Sequence, residues 1–150
     1  MNWTFEIKSG ALINEYGTLI DHCLSGYGEN ANDSTKTNVS HLGPLPCGLY
    51  TIEPERNDVG HLGPVVMNLT PYPSNEMFGR SLFRIHGYSK DDPKTQTDES
   101  LLSSHGCICA KRETRQAVSK SPNRVLQVID GLDSKLVAIY LNGRNVYSVA

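Results

Sequence analysis

The sequence predicts a mainly β domain with one short helix and a C-terminal β-hairpin. Three observations predict it. Short apolar runs, several of them alternating with polar residues, recur along the chain and are bounded by Gly, Pro or Asn. One stretch, after Cys109, carries its apolar residues at helical spacing. Asn142-Gly143 stands between two alternating apolar runs, and a two-residue hairpin turn with positive φ favours that pair.

Trp3 to Lys8 alternates and meets Ser9-Gly10, and Ala11 to Asn14 and Thr18 to Cys23 are separated by the turn residues Glu15-Tyr16-Gly17. The chain is therefore expected to open as a meander of short strands. Ser25 to Ser40 is polar, rich in Gly, Asn, Ser and Thr, and too long for a tight hairpin, so it reads as a mobile flap. Strands follow at Leu49 to Glu53, Val65 to Leu69 and Leu82 to His86, each bounded by Pro or Gly. A second polar loop, Tyr88 to Ser103, has a length that usually means function or disorder, and it is expected to edge a cleft. Ala110, Thr114, Ala117 and Val118 give the helical spacing and Pro122 ends it. Strands at Arg124 to Ile129, Lys135 to Leu141 and Asn145 to Val149 complete the chain. His41-Leu42-Gly43-Pro44 recurs as His61-Leu62-Gly63-Pro64, but the flanks differ, so the match reads as coincidence and both histidines as loop residues.

A length of 150 residues fits a single domain, 1–150, able to bury a working core. A net charge of -2 argues against a nucleic-acid or anionic-membrane partner. Met1 to Lys8 lacks the basic start and apolar run of a secretory signal, and no stretch approaches the ~20 apolar residues of a membrane span. The expectation is a protein made in the cytoplasm without signal peptide or membrane insertion. Cys23, Cys47, Cys107 and Cys109 could form two disulfides; free thiols are preferred, because a chain of this length needs no staples.

The chemistry concentrates at Ile85-His86-Gly87 and Ser104-His105-Gly106-Cys107. A thiol with a reference pKa near ~8.5 is mostly protonated at neutral pH, so a cysteine nucleophile requires a base or a positive surrounding. His86 is the candidate base. Gly106 lets backbone approach a substrate carbonyl, and N–H groups around Cys107 could hold the oxyanion. Cys107 is expected in a glycine-tight turn close to the N-terminus of the helix, whose dipole favours a thiolate. The bland alternatives are a small buried cysteine and a strand-end histidine bonded for structure. A metal site from His105, Cys107 and Cys109, perhaps with His86, is disfavoured: Cys107-Ile108-Cys109 is a poor zinc knuckle and no second pair exists, so no cofactor is expected. Arg80 could make bidentate contacts to a substrate carboxylate, or be a solvated strand-entry residue. Lys111, Arg112, Arg115, Lys120 and Arg124 form a basic face that is either solvated or set beside an anionic substrate.

His86-Gly87, a polar spacer and then Ser104-His105-Gly106-Cys107 resemble the L,D-transpeptidase signature. Gly43-Pro44-Leu45-Pro46-Cys47-Gly48-Leu49-Tyr50-Thr51-Ile52 and Gly79-Arg80-Ser81-Leu82-Phe83-Arg84-Ile85-His86-Gly87 are similar to segments of one branch, the L,D-transpeptidase-like toxins of type VI secretion, the Tlde family. The similarity runs from about Trp3 to the helix after Cys107. Two departures stand out: Cys109 occupies a position where many L,D-transpeptidases carry Arg or Asn, and the loop after His86 is longer than that branch leads one to expect.

The resemblance implies an L,D-transpeptidase-like β-sandwich or sheet. It implies that Cys107 is the nucleophile, that His86 is the base, and that the carbonyl of Gly87 orients the imidazole. Gly106, His105 and Ser104 would shape the oxyanion and substrate site. Ser25-Gly26-Tyr27-Gly28 resembles a short segment of the toxin branch, so Tyr27 on the flap could cover the substrate. The implied substrate is a peptidoglycan tetrapeptide stem, cut by L,D-carboxypeptidase action or passed to an amine by transpeptidation or D-amino-acid exchange. The implied role is an antibacterial type VI secretion effector acting in the periplasm of a target bacterium, with a secretion-apparatus component and a periplasmic immunity protein as partners. The rival from another class is a non-catalytic wall-binding or structural module of a phage or secretion particle. An unrelated cysteine peptidase, which would cut ordinary L,L-peptides, is a third.

Overall fold

The computed structural model describes residues 2–87 and 103–131. The hairpin expected within 135–149 and the polar loop at 88–102 lie outside the described residues.

Among the described residues nine strands make one sheet: β1 (Trp3–Glu6), β2 (Ala11–Ile13), β3 (Leu19–His22), β4 (Leu24–Tyr27), β5 (Gly48–Arg56), β6 (Val66–Pro71), β7 (Phe83–His86), β8 (Ser103–Cys109) and β9 (Val125–Ile129). A helix, α1 (Arg112–Lys120), separates β8 from β9. The fold is mainly β. The order across the sheet is β3-β2-β1-β9-β5-β6-β7-β8-β4, with β1–β9 and β7–β8 parallel and the other pairs antiparallel.

The two edges of this sheet, β3 and β4, are consecutive in the chain and separated by Cys23 alone. A link that short cannot cross the width of a flat sheet, since neighbouring strands stand ~4.8 Å apart, so the sheet is rolled until its edges nearly meet. The roll encloses the core. Trp3 and Phe5 of β1, Leu126 and Val128 of β9, Tyr50 and Ile52 of β5, Met67 and Leu69 of β6, Phe83 and Ile85 of β7 and Ile108 of β8 all belong to it. They recur at every second position, as the strand repeat requires. β5 runs beyond the predicted Glu53 because a register shift between Ile52 and Glu55 absorbs Pro54, which could not donate to a regular ladder.

Two strands were not predicted. The expected flap is a strand at its start, because Leu24–Tyr27 pairs with β8; only the following residues form loops with two short 3-10 turns, Gly28–Asn30 and Ser34–Lys36. The second, β8, corrects the placement of Cys107. It lies in a strand held on both sides, by β7 and by β4, not in a turn, and α1 begins only at Arg112. The helix terminus is therefore not beside the thiol. Thr114, Arg115 and Val118 form the buried stripe of α1, whereas Ala117 is exposed and Ala110 precedes the helix.

Candidate active site

The parallel pairing of β7 and β8 brings the two sequence motifs together. Ile85 stands opposite Ile108 and His86 opposite Cys109. Continued one step back, the register sets Cys107 beside Arg84. Ile85 and Ile108 point into the core; alternation therefore turns Arg84, His86, Cys107 and Cys109 to the other face.

His86 is buried, and its Nδ1 lies 2.7 Å from the carbonyl oxygen of Gly87. A carbonyl only accepts, so Nδ1 carries the proton in this contact and Nε2 is left as the basic nitrogen. The backbone around it is fixed on three sides. Ala110 N–H donates to His86 O at 2.9 Å, and Gly87 N–H donates to Leu62 O at 3.4 Å. Arg115, also buried, donates from Nη1 to Ala110 O at 2.6 Å, from Nε to Val65 O at 3.1 Å and from Nη2 to Pro64 O at 3.1 Å. The sulfur of the buried Cys109 packs 4.0 Å from Nδ1.

Cys107 is a half-buried free cysteine whose thiol donates to Leu82 O at 3.7 Å. Burial pushes the thiol up, and a backbone hydrogen bond from Arg84 with the positive charges of Arg84 and Arg80 offsets part of that rise. The net shift is upward, which favours the protonated thiol. The strand bulges just before it: β4 takes two steps from Ser25 to Tyr27 while β8 takes five from Ile108 to Ser103. Gly106 sits inside the bulge at φ +120°, and a β-carbon there would lie 2.6 Å from Arg80 Nη2 and 2.6 Å from the Phe83 ring. Ser25 pins the bulge, donating from Oγ to Gly106 O at 2.7 Å and accepting from Leu45 N–H at 3.0 Å.

Cys107 opens onto a cleft of about 340 Å³ lined also by His41, Gly79, Arg80, Ser81 and Leu82. Arg80 is a wall of this cleft. Its Nη1 donates to Thr37 O at 2.6 Å and Pro44 O at 2.7 Å, its Nη2 to Gly43 O at 2.9 Å, and its guanidinium stacks 5.1 Å from the centre of the Phe83 ring. Tyr27, at the end of β4, is exposed. Ser104 and His105 belong to β8.

The fold reduces the expected basic face to Lys111, Arg112 and Lys120, which are exposed. Arg115 is buried, and Arg124 donates to the carbonyls of Ile52, Val118, Ser119, Ser121 and Glu53, so both clamp backbone. Sequence reasoning named Ser25 only within the flap segment and Arg115 only within the basic face, and it did not single out Arg84. For Arg84 the signal was present, because it shares with His86 the polar side of an alternating strand. Among the described residues no cluster of three or more His, Cys, Asp or Glu side chains could hold a metal ion. Nor, among them, is any helix long and apolar enough to cross a membrane.

Residues 21–131 match the family model of the Tlde1 domain. No curated protein and no solved structure matches the chain.

Proposed function

The chain belongs to the Tlde1 domain family of type VI secretion L,D-transpeptidase-like effectors, and from that premise we propose that it is a cysteine acyl-transfer enzyme that trims or exchanges the terminal D-alanine of peptidoglycan tetrapeptide stems. The single observation that carries the reading is the 2.7 Å contact between His86 Nδ1 and Gly87 O, which commits one ring nitrogen and makes the other a base on the strand beside Cys107.

In this reading Cys107 turns from Leu82 O toward Nε2 and gives up its proton. The thiolate adds to the carbonyl carbon of the third stem residue, and the oxyanion is received by N–H groups at the Gly106 bulge, with His105 and Ser104 shaping that end of the site. Collapse of the tetrahedral adduct breaks the bond to D-alanine, whose nitrogen takes the proton from the imidazolium. A thioester on Cys107 remains. Water, deprotonated by His86, releases a tripeptide; an amine in its place takes the acyl group. Arg80 serves by holding the cleft wall, and Tyr27, exposed at the end of β4, would cover the substrate. The site of action is the periplasm of a target bacterium, where an immunity protein would protect the producer by closing the cleft mouth.

The test incubates the protein with disaccharide-tetrapeptide and follows loss of D-alanine by mass spectrometry. Release by the native protein and none by Cys107→Ala is the expected result. Release by the Ala variant, or none by the native protein, would overturn the reading.

A further inference from the structure

We propose that Arg84 is the residue that recognises the free carboxylate of the leaving D-amino acid, so that the enzyme reads the terminus of the stem and not merely its sequence; this rests on the acyl-transfer reading above.

Placement comes first. Arg84 is the β7 neighbour of Cys107 across a parallel ladder, on the face that carries His86. Strands in a sheet stand ~4.8 Å apart, and an arginine side chain is long enough to hold its guanidinium a little beyond a carbonyl under attack. In a stem ending in D-alanine the terminal carboxylate carbon is three bonds from the attacked carbonyl carbon, so a cation on the strand beside Cys107 is placed to meet it.

Anchoring comes second. Arg84 pairs in register with Asn68 of β6, and its Nε donates to Asn68 Oδ1 at 2.9 Å. That bond fixes the plane of the fork. Among the described residues it is the hydrogen bond the side chain makes, whereas Arg80 and Arg115 each donate to three backbone carbonyls. Asp58, within electrostatic range of Arg84, is already gripped by Arg56 through Nε at 3.0 Å and Nη2 at 3.1 Å. Arg84 also lines a second, shallower cleft of about 180 Å³ with Asn68, Thr70, Pro71 and Leu82. Leu82 borders both clefts, so it is a ridge between the thiol side and the Arg84 side. A planar, anchored guanidinium at the end of a cleft suits bidentate capture of a carboxylate.

The experiment measures kcat/KM of the full chain on a tetrapeptide ending in D-alanine and on the same peptide ending in D-alaninamide. The native enzyme is expected to favour the acid by roughly 10- to 100-fold, the range of a charge-assisted hydrogen bond. R84Q is expected to bring the acid-to-amide ratio to about one, mainly through KM, and R84K to restore part of it. Equal turnover of acid and amide by the native enzyme overturns the inference while leaving the acyl-transfer reading standing. A ratio unchanged in R84Q also overturns it, because a role confined to folding or to the thiolate lowers both substrates together. No release from either peptide by the native protein overturns the parent reading, and this inference with it.

Discussion

A β-carbon on Gly87 would lie 2.8 Å from Nη1 of Arg115 and 3.0 Å from its central carbon. The guanidinium fills the place of the missing side chain, and it is bonded to the carbonyls of Pro64, Val65 and Ala110. The peptide that orients His86 is thus backed by a rigid cation.

Gly87→Ala is therefore expected to keep the fold and lose turnover. The methyl group displaces either the guanidinium or the carbonyl that holds Nδ1, and a misplacement near 1 Å can cost up to ~10²-fold in rate. Steady-state kinetics should show kcat reduced by about tenfold or more with a near-native melting curve. Native kcat in this variant would mean that the His86–Gly87 contact does not matter to the reaction.

Arg115→Met removes the donors to three carbonyls while keeping most of the apolar stem. Each buried carbonyl left without a partner costs about 1–3 kcal/mol, so a total loss near ~3 kcal/mol is expected. For a chain of this size that corresponds to a melting temperature lower by about 10 °C. Calorimetry checks it, and a shift below about 3 °C would show the carbonyls finding water instead.

Glu6 gives a stability contribution with a definite pH window. Burial pushes its carboxyl up, but hydrogen bonds from the Ser9 hydroxyl and N–H and from Lys8 and Gly131 N–H outweigh that and leave it below the ordinary glutamate value. A lowered folded pKa means stabilisation present above the unfolded pKa of about 4.3 and lost as pH falls through the folded value. Glu6→Gln should thus cost about 2 kcal/mol in denaturant unfolding at pH 7. The gap to the native protein should close at lower pH; a gap constant from pH 7 to pH 3 would contradict this.

Thiol reactivity follows exposure and charge. In the native state iodoacetamide should modify exposed Cys47 and half-buried Cys107, and reach buried Cys23 and Cys109 only on unfolding. Because burial raises the Cys107 thiol, its alkylation should be slower than that of a free cysteine at pH 7 and keep rising above pH ~8.5. Peptide mapping by mass spectrometry resolves the four sites. Complete labelling of Cys107 at pH 6 would mean a preformed thiolate and no need for His86 as base.

Much of the β architecture is legible in the chain, since Trp3-Thr4-Phe5 and Phe83-Arg84-Ile85-His86 alternate apolar with polar residues, and the apolar ones are those that join the core. The segment Ser103-Ser104-His105-Gly106-Cys107-Ile108-Cys109 shows no such alternation and reads as a turn. It becomes a strand because β7 and β4, distant in sequence, supply ladders on both sides. Leu24–Tyr27 is hidden for the same reason. The arginines mislead differently. Their charge suggests solvent, but Arg80, Arg115 and Arg124 are satisfied by carbonyls that converge only in the folded state. The lone stronger cue, an arginine on the polar side of the strand that ends at His86, was open to reading from period two alone.

β9 stands between β1 and β5 and joins a three-stranded unit to the five strands that carry the thiol and imidazole. Until residues 125–129 have been synthesised the two groups of strands have no common ladder. Closure must then bridge Trp3 and Leu126, a long-range pairing that costs loop entropy before it gains contact energy. That segment therefore acts as a keystone: the two groups of strands should form separately and lock together cooperatively only once β9 has joined them.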